Sequence, residues 1–304
     1  MRIFYSFFYN RLVALQNVLS EIEFDGISII HSNSSVINIG ALISKKLDVR
    51  HIWHFREFGK LDYNISHIFG KKYVNHYCNK FAWKTIFVSR ALKNYYRSNK
   101  KNDNSLVIYN GIKPEKQIQT KKNGSVVNFL IVGLISPKKS QYTVLKAFNY
   151  LINEFDYKNI RLTLIGGGNP EYIQILKNYT ISHNLSKYVN FTGYQENSSI
   201  DFQNYHIGIM PSKSEAFGRV TVEYMAHGMM VIASNSGANT EILTNNYNGL
   251  IFNKDDFQEL SQCILHVLNN NELLQQYGQN AFKTFKKHFI LEKTVSKIYN
   301  EYSK

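Results

Sequence analysis

The chain has 304 residues and a net charge of +14, with 36 Lys and Arg against 22 Asp and Glu. This length favours two domains, and an apolar content of 44% suffices for globular cores. The two cysteines, Cys78 and Cys263, form no C-x-x-C pair, which argues against a disulfide framework or zinc site and suits a reducing cytoplasm. The sequence has no run of about eighteen apolar residues and no signal-peptide cleavage pattern, so we expect neither a membrane-spanning helix nor a signal peptide.

Most of the net positive charge lies in the first 120 residues, and basic residues are densest there beside aromatic side chains. The basic residues there are Lys84, Arg90, Lys93, Arg97, Lys100 and Lys101, and the aromatic ones are Phe81, Trp83, Tyr95 and Tyr96. This combination favours an anionic membrane surface, while a solvated basic face explains it equally well. No recognition-helix or base-stacking pattern is present, so we do not expect nucleic acid as a partner.

The first 112 residues alternate between helix and strand patterns, which predicts a parallel sheet covered by helices. Helices are expected at residues 5–20, 36–46 and 89–99, the last capped by Ser89. Strands are expected at residues 27–30, 50–54, 85–88 and 106–109, and residues 55–83 are irregular to helical. We therefore predict a first domain over residues 1–112, ended by the Asn110-Gly111 turn.

A polar linker at residues 113–126 precedes a second alternation. Strands are expected at 128–132, 161–165, 188–192, 206–210 and 230–233, with a helix from about residue 140 and closing helices at 255–268, 271–285 and 289–302. We predict a second domain over residues 127–285, and residues 286–304 as a terminal helix that returns to the first domain.

The segment from Ser212 to Gly228 carries the strongest chemical pattern. Phe217-Gly218 predicts a turn that opens a helix of about three turns, and Gly228 would end it. The first turn of such a helix presents unpaired N–H groups that suit a phosphate. Glu215 lies before the helix and Glu223 inside it. Carboxylates on either side of a phosphate site suit the hydroxyl groups of a sugar nucleotide. The alternative is two surface glutamates around an amphipathic helix, but S-x-x-E-x-F-G and E-x-M-A-x-G accompany the spacing.

Other motifs are weak or missing. Gly166-Gly-Gly168 follows a predicted strand, but Glu171 occupies the third position of G-x-G-x-x-G, so we interpret it as a tight turn that brings backbone near a ligand. The sequence contains no Walker A motif and no G-x-S-x-G motif. The histidines lack metal-ligand spacing, so we expect no metal.

The Ser212–Gly228 segment resembles the signature of the family 4 glycosyltransferases, which have the GT-B fold of two facing Rossmann-like α/β domains. Further blocks resemble the family in the right order: His51–Phe58, Ile108–Ile112, Val132–Gln141, Phe191–Gly193, Ser234–Ile242 and Asn248–Phe252. The resemblance covers the chain from about residue 25. It also implies that roughly the first quarter of an ordinary member is absent, so the first domain is expected to be incomplete.

The resemblance implies retaining transfer of a hexose, from a nucleotide sugar that is expected to be a UDP-sugar, to a glycan or lipid-linked acceptor in polysaccharide biosynthesis. It implies no cofactor and no metal. The basic and aromatic first domain predicts a cytoplasmic location at the inner face of the plasma membrane. The implied catalytic residues are Glu215, Lys139 and His54. The implied donor-binding residues are Gly133, Ser140, Gly193, Ala216, Phe217, Gly218, Arg219 and Glu223.

Individual roles follow from the same resemblance. Lys139 would place its ammonium on the diphosphate, where charge grows as the leaving group departs. Glu223 would bind the ribose hydroxyls and Glu215 the donor sugar, while His54 would face that sugar from the other domain. On its own, His54 is more often a histidine with its hydrogen bonds satisfied at a strand end.

Two positions depart from the family pattern. Leu134 stands where many members carry an arginine, and Ser140 stands where they carry a glycine. Arg219 or Arg56 is a candidate to replace the missing cation.

Two alternatives to a glycosyltransferase stay open: a non-catalytic remnant that binds nucleotide, or a GT-B relative with other chemistry. An epimerase would act on a UDP-sugar without acceptor, and a phosphorylase would need free phosphate.

Overall fold

The computed structural model of the protein describes Val13 and residues 16–23, 25–63, 70–97, 104–113 and 126–304. The chain divides into two compact units, Met1–Tyr109 with Lys297–Lys304 and Asn110–Ser296. Each unit contains a sheet of parallel strands alternating with helices. The predicted α/β class is therefore confirmed.

The first unit is built on a four-stranded sheet in the order β1-β2-β3-β4. The strands are β1 (Ile29–Asn33), β2 (Arg50–Phe55), β3 (Lys84–Phe87) and β4 (Ser105–Val107). Residues 16–21 lie in helix α1, followed by α2 (Ile39–Leu47), α3 (Lys60–Tyr63), α4 (Gly70–Phe81) and α5 (Arg90–Arg97). Ser89 caps α5 as predicted, because its Oγ accepts a hydrogen bond of 3.0 Å from the Leu92 N–H.

The core of this sheet centres on buried isoleucines of its two middle strands. Ile52 and Ile86 are fully buried on neighbouring strands, as expected when helices cover a parallel sheet. Ile298 and Tyr302, from the last helix, pack against the same cluster. The final residues of the chain thus belong to the first unit.

The second unit is built on a six-stranded sheet in the order β10-β9-β8-β5-β6-β7. The strands are β5 (Val127–Val132), β6 (Ile160–Ile165), β7 (Val189–Gly193), β8 (Ile207–Met210), β9 (Met230–Ser234) and β10 (Leu250–Phe252). The helices include α6 (Gln141–Asn149), α7 (Pro170–Ser182), α8 (Arg219–Ala226), α9 (Asn239–Ile242), α10 (Phe257–Leu268) and α11 (Asn271–His288). Helix α12 (Leu291–Tyr302) begins in this unit.

Several observed elements differ from the predictions. Strand β1 begins at Ile29 and continues through Asn33 rather than ending at Ile30. Strand β10 was not predicted, because three residues are too short for a periodic signal. Helix α8 has eight residues, about two turns rather than three. Most of the predicted helix at 5–20 and of the linker at 113–126 lies outside the described residues, and the predicted domain boundaries stay predictions.

The proposed basic and aromatic surface near residue 97 needs correction. Tyr96 and Arg97 are buried. The Arg97 guanidinium donates a hydrogen bond of 2.9 Å to Thr85 Oγ1 and another to Asn79. Both side chains are therefore interior groups and cannot meet a membrane. Lys100 and Lys101 lie outside the described residues.

Among the residues that the structure describes, no helix combines the length and the apolar character that crossing a membrane requires.

Candidate functional site

Three glycines at the carboxyl-terminal edge of the second sheet allow the backbone turns there to pack closely. Gly133, Gly166 and Gly193 follow β5 and β6 and end β7, with φ of +140°, +155° and +75°. The Gly166 N–H donates to the Gly193 carbonyl at 2.9 Å. A Cβ on Gly166 would lie 1.9 Å from the Gly133 carbonyl oxygen, so only glycine allows these turns to approach so closely.

Helix α8 begins at the same edge of the sheet. Gly218 occupies its N-cap position with φ +79° and, having no side chain, caps none of the first amides. At the other end, Gly228 has φ +63° and its N–H donates to the Met225 carbonyl at 3.1 Å. Gly228 therefore ends the helix, as predicted.

The loop before α8 is held by the turn after β9. The Ser234 and Ser236 hydroxyls both donate to the Ser212 carbonyl, at 2.6 and 2.5 Å. The Ala238 N–H donates to the Glu215 carbonyl at 2.9 Å, and a Cβ on Gly237 would lie 2.0 Å from that oxygen. The backbone of Glu215 is thus fixed by direct contact with Gly237.

Lys139 and Glu215 form an ion pair at this edge. Lys139 ends the 3-10 turn Pro137–Lys139 after β5, and Glu215 follows β8, the neighbouring strand. Lys139 Nζ lies 2.7 Å from Glu215 Oε2, with the side chains 33% and 16% exposed. The partial exposure leaves both groups within reach of a ligand.

Glu223 and Tyr224 are neighbours in α8 and make contacts in different directions. Arg219 Nε donates to Glu223 Oε1 at 2.9 Å, and Glu223 is buried while Arg219 is exposed. Tyr224 points the other way, and its hydroxyl accepts a hydrogen bond of 2.8 Å from the Val132 N–H. Sequence reasoning missed Tyr224; its signal is Gly208 in β8, where a Cβ would lie 2.1 Å from the Tyr224 ring.

Leu134 and Ser140, the two departures from the family pattern, have different environments. Leu134 is 59% exposed. Ser140 is buried in the left-handed conformation with φ +50°, and its hydroxyl donates to Asp255 Oδ1 at 2.9 Å. Among the other predicted donor-binding residues, Ala216 and Phe217 bury their side chains.

His54 belongs to the first unit, at the carboxyl end of β2. It is buried, and neither ring nitrogen has a hydrogen-bond partner among the described residues. This contradicts the interpretation of a satisfied histidine. Burial, with smaller effects from Arg56 and His31, lowers the pKa of His54 to about 2, so the imidazole is neutral. Arg56 also lies in this unit and donates to the Asn33 side chain.

In the second unit, the structure thus pairs Lys139 with Glu215 and Arg219 with Glu223. Ser140, beside Lys139 in the chain, contacts Asp255. Residues that sequence reasoning missed are Tyr224 and Asp255. Among the described residues, no group of three His, Cys, Asp or Glu side chains is arranged to hold a metal ion.

Comparison with known families gives a match for each half of the chain. The family described as Glycosyl transferases group 1 matches residues 112–284, and Glycosyltransferase Family 4 matches residues 2–116. An uncharacterised glycosyltransferase of Methanocaldococcus jannaschii is 33% identical over 93% of this chain and 78% of its own length. A capsular polysaccharide biosynthesis glycosyltransferase of Staphylococcus aureus, CapM, is 26% identical over 58% of this chain and 47% of its own.

A solved structure shares the fold. Anabaena HepE in complex with UDP and glucose superposes with a TM-score of 0.80 at 19% identity, over 96% of this chain and 80% of that chain. Together with the family matches, this confirms the GT-B fold and the resemblance of the chain to the family 4 glycosyltransferases. The chain belongs to the family 4 glycosyltransferases, matches the group 1 glycosyl transferases over its second half, and is a transferase enzyme.

Proposed function

We propose that the protein transfers a hexose from a UDP-sugar, with retention of the anomeric configuration, to a hydroxyl of a glycan or lipid-linked acceptor in polysaccharide biosynthesis. The observation that carries the proposal is the Lys139–Glu215 ion pair beside the uncapped start of α8. Ammonium, helix amides and carboxylate suit a diphosphate and a sugar at one sheet edge. HepE in complex with UDP and glucose and the capsular polysaccharide enzyme CapM support the choice of substrates.

In the proposed reaction, the bond from the anomeric carbon to the phosphate oxygen breaks. A bond from the same carbon to the acceptor oxygen forms on the same face. The acceptor proton passes to the departing phosphate oxygen, so the products are UDP and the new glycoside and no separate protein base is required. Lys139 stabilises the charge that develops on this phosphate.

The remaining residues bind the donor. Glu223 accepts hydrogen bonds from the ribose hydroxyls, and Glu215 from the donor sugar. Gly133, Gly193 and the amides of Ala216, Phe217 and Gly218 allow close backbone contact with the donor. Arg219 is proposed as a second cation, since Leu134 supplies none. His54, whose buried nitrogens lack partners among the described residues, is proposed to bind the sugar.

We further propose that this chemistry needs no metal, because side-chain and backbone donors supply the charge complementarity. The test is an assay of several UDP-sugars with a lipid-linked or glycan acceptor, in EDTA and with added Mg²⁺. We expect UDP release in both conditions and an anomeric coupling constant that shows retention. Conversion of the donor without acceptor would instead indicate an epimerase, and binding without turnover would indicate a non-catalytic protein.

A basic and aromatic patch of the first unit supports a membrane-bound acceptor. Arg50 and Lys84 lie 4.8 and 5.7 Å from the centre of the Trp83 ring. Lys45 and Lys80 lie 5.7 and 5.4 Å from that of Phe81. We propose that this patch contacts anionic lipid at the inner face of the plasma membrane. Sedimentation with phosphatidylserine vesicles should fall in Arg50→Glu/Lys84→Glu; equal sedimentation of both proteins would contradict the proposal.

A further inference from the structure

Asp255 connects two loops of the candidate site. It lies on the turn between β10 and α10, with φ +66°. Asp255 Oδ1 accepts a hydrogen bond of 2.9 Å from the Ser140 hydroxyl, and its Oδ2 lies 3.0 Å from Lys213 Nζ. Ser140 directly follows Lys139, and Lys213 lies two residues before Glu215. One carboxylate therefore contacts both loops that carry the ion pair.

The backbone around Lys139 is held on both sides. The Lys138 carbonyl accepts a hydrogen bond of 2.9 Å from the Lys213 N–H. On the other side, Ser140 is buried with φ +50°, a left-handed conformation that is unfavourable for a residue with a Cβ. The hydrogen bond to Asp255 stabilises Ser140 in this conformation. Among the described residues, Asp255 is the hydrogen-bond partner of the Ser140 hydroxyl, so losing Asp255 should make the turn that directs Lys139 less stable.

The turn that carries Asp255 is itself fixed to the sheet. The Asn235 N–H donates to the Phe252 carbonyl at 2.8 Å, and the Lys254 N–H donates to Asn235 Oδ1 at 3.1 Å. Asp256 caps α10 by accepting from the Gln258 and Glu259 N–H groups. Burial alone would raise the pKa of Asp255, but hydrogen bonds from Lys213 and Ser140 outweigh it and lower the pKa. The carboxylate is thus ionised near neutral pH.

We propose that Asp255 is a positioning residue that holds Lys139 against the β-phosphate of the donor through its hydrogen bond to Ser140. This inference rests on the proposed binding of a UDP-sugar. The β-phosphate is the leaving-group phosphate, where the developing charge must be met. Loss of Asp255 should therefore weaken the binding of ligands that carry a β-phosphate and spare ligands that lack it.

The test is calorimetric binding of UDP and UMP to the intact chain and its variants. Asp255→Gly removes the carboxylate while tolerating the left-handed turn. We expect it to weaken UDP binding about tenfold, within the range of one charged hydrogen bond, and to change UMP binding less than about twofold by the same reasoning. Ser140→Ala, which removes the hydroxyl but keeps the Cβ at φ +50°, should match it, and the double variant should be no worse than either. Asp255→Asn, which keeps an acceptor for Ser140, should stay nearer to the unmodified protein.

The matched control is Asp156→Gly. Asp156 also has a positive φ of 57° and a lysine partner, Lys158. It lies on the turn before β6, at the amino-terminal end of that strand, whereas the candidate site lies at the carboxyl ends of the strands. The substitution should change neither Kd. If Asp255→Gly weakened the binding of UDP and UMP equally, the cause would be a general folding defect, which circular dichroism would reveal. Equal weakening of both ligands, or an unchanged UDP affinity in Asp255→Gly, would overturn the inference. Absence of UDP binding to the unmodified chain would instead overturn the proposed function as well.

Discussion

Lys139 Nζ lies 2.7 Å from Glu215 Oε2, although the two residues are 76 positions apart in the sequence. They meet because β5 and β8 are neighbours in the sheet and each is followed by one of the two residues. The ammonium of Lys139 is thus held by a carboxylate where the diphosphate of the donor is proposed to bind. A phosphate that binds there must share or replace this partner.

The first prediction concerns the ammonium itself. Lys139→Ala should weaken UDP binding about ten- to a hundredfold, since one charged hydrogen bond contributes about 1.5–3 kcal/mol. Isothermal titration calorimetry measures the change. Lys177→Ala removes an exposed lysine from α7 and serves as the control. Equal UDP affinity in Lys139→Ala and the control would mean that Lys139 does not bind the diphosphate.

The second prediction separates the two partners. Glu215→Gln releases Lys139 to the phosphate, so UDP binding should stay within about threefold of the unmodified protein, less than one charged hydrogen bond contributes. Transfer should nevertheless fall about a hundredfold or more, because the contact to the donor sugar is lost. The exposed Glu272→Gln is the control. A loss of UDP affinity as large as that of Lys139→Ala would show that Glu215 serves only to orient the lysine.

The third prediction concerns the backbone that supports Glu215. Gly237→Ala combines a left-handed φ of +53° with a Cβ 2.0 Å from the Glu215 carbonyl oxygen. Gly193→Ala has a similar φ of +75° but no atom within 4 Å of its Cβ. Gly193→Ala should cost about 1–2 kcal/mol of stability, and Gly237→Ala clearly more. Thermal unfolding compares them, and equal midpoints would argue against the close contact at Gly237.

The fourth prediction concerns acid stability of the first unit. Burial, its largest cause, lowers the pKa of His51 to about 4 and that of His54 to about 2. The unfolded chain, with a histidine pKa near 6.5, binds more protons below that value than the folded chain. The stability is therefore fully present above about pH 6.5 and should fall by up to about 1.4 kcal/mol per pH unit for each histidine as pH decreases.

Tryptophan fluorescence measures this effect, because the two tryptophans, Trp53 and Trp83, both lie in the first unit. Urea unfolding at pH 7.5, 6.5 and 5.5 should show the decline. His54→Phe should reduce the change in the free energy of unfolding per pH unit, whereas the exposed His76→Asn should leave it unchanged. Stability that does not change over this range would contradict the buried, neutral state of these histidines.

Local signals in the sequence identified the element that carries the candidate site. Gly218 and Gly228 mark both ends of α8 because each requires a positive φ, and Glu215 and Glu223 are placed by their distance from these glycines. Lys139 entered only through the family resemblance. Its contact with Glu215 depends on strand order, which spacing alone does not give.

The residues that were missed or misjudged depend on tertiary contacts. Asp255 reaches Ser140 across 115 positions, and Tyr224 reaches Val132 across 92. Arg97 was expected on a basic face, either membrane-binding or solvated, because it lies in a basic and aromatic run, yet it is buried against Thr85. Charge patterning predicts solvent exposure on average, and it fails where a charged group finds buried partners.

We expect the second unit to bind the uridine diphosphate part of the donor through α8. Calorimetric titration of UDP, with GDP alongside, into the unmodified chain and Glu223→Ala tests it most directly. We predict that UDP binds and that the substitution weakens it about tenfold or more, which corresponds to about 1.4 kcal/mol. Absence of UDP binding to the unmodified chain, or equal affinity in Glu223→Ala, would contradict the account.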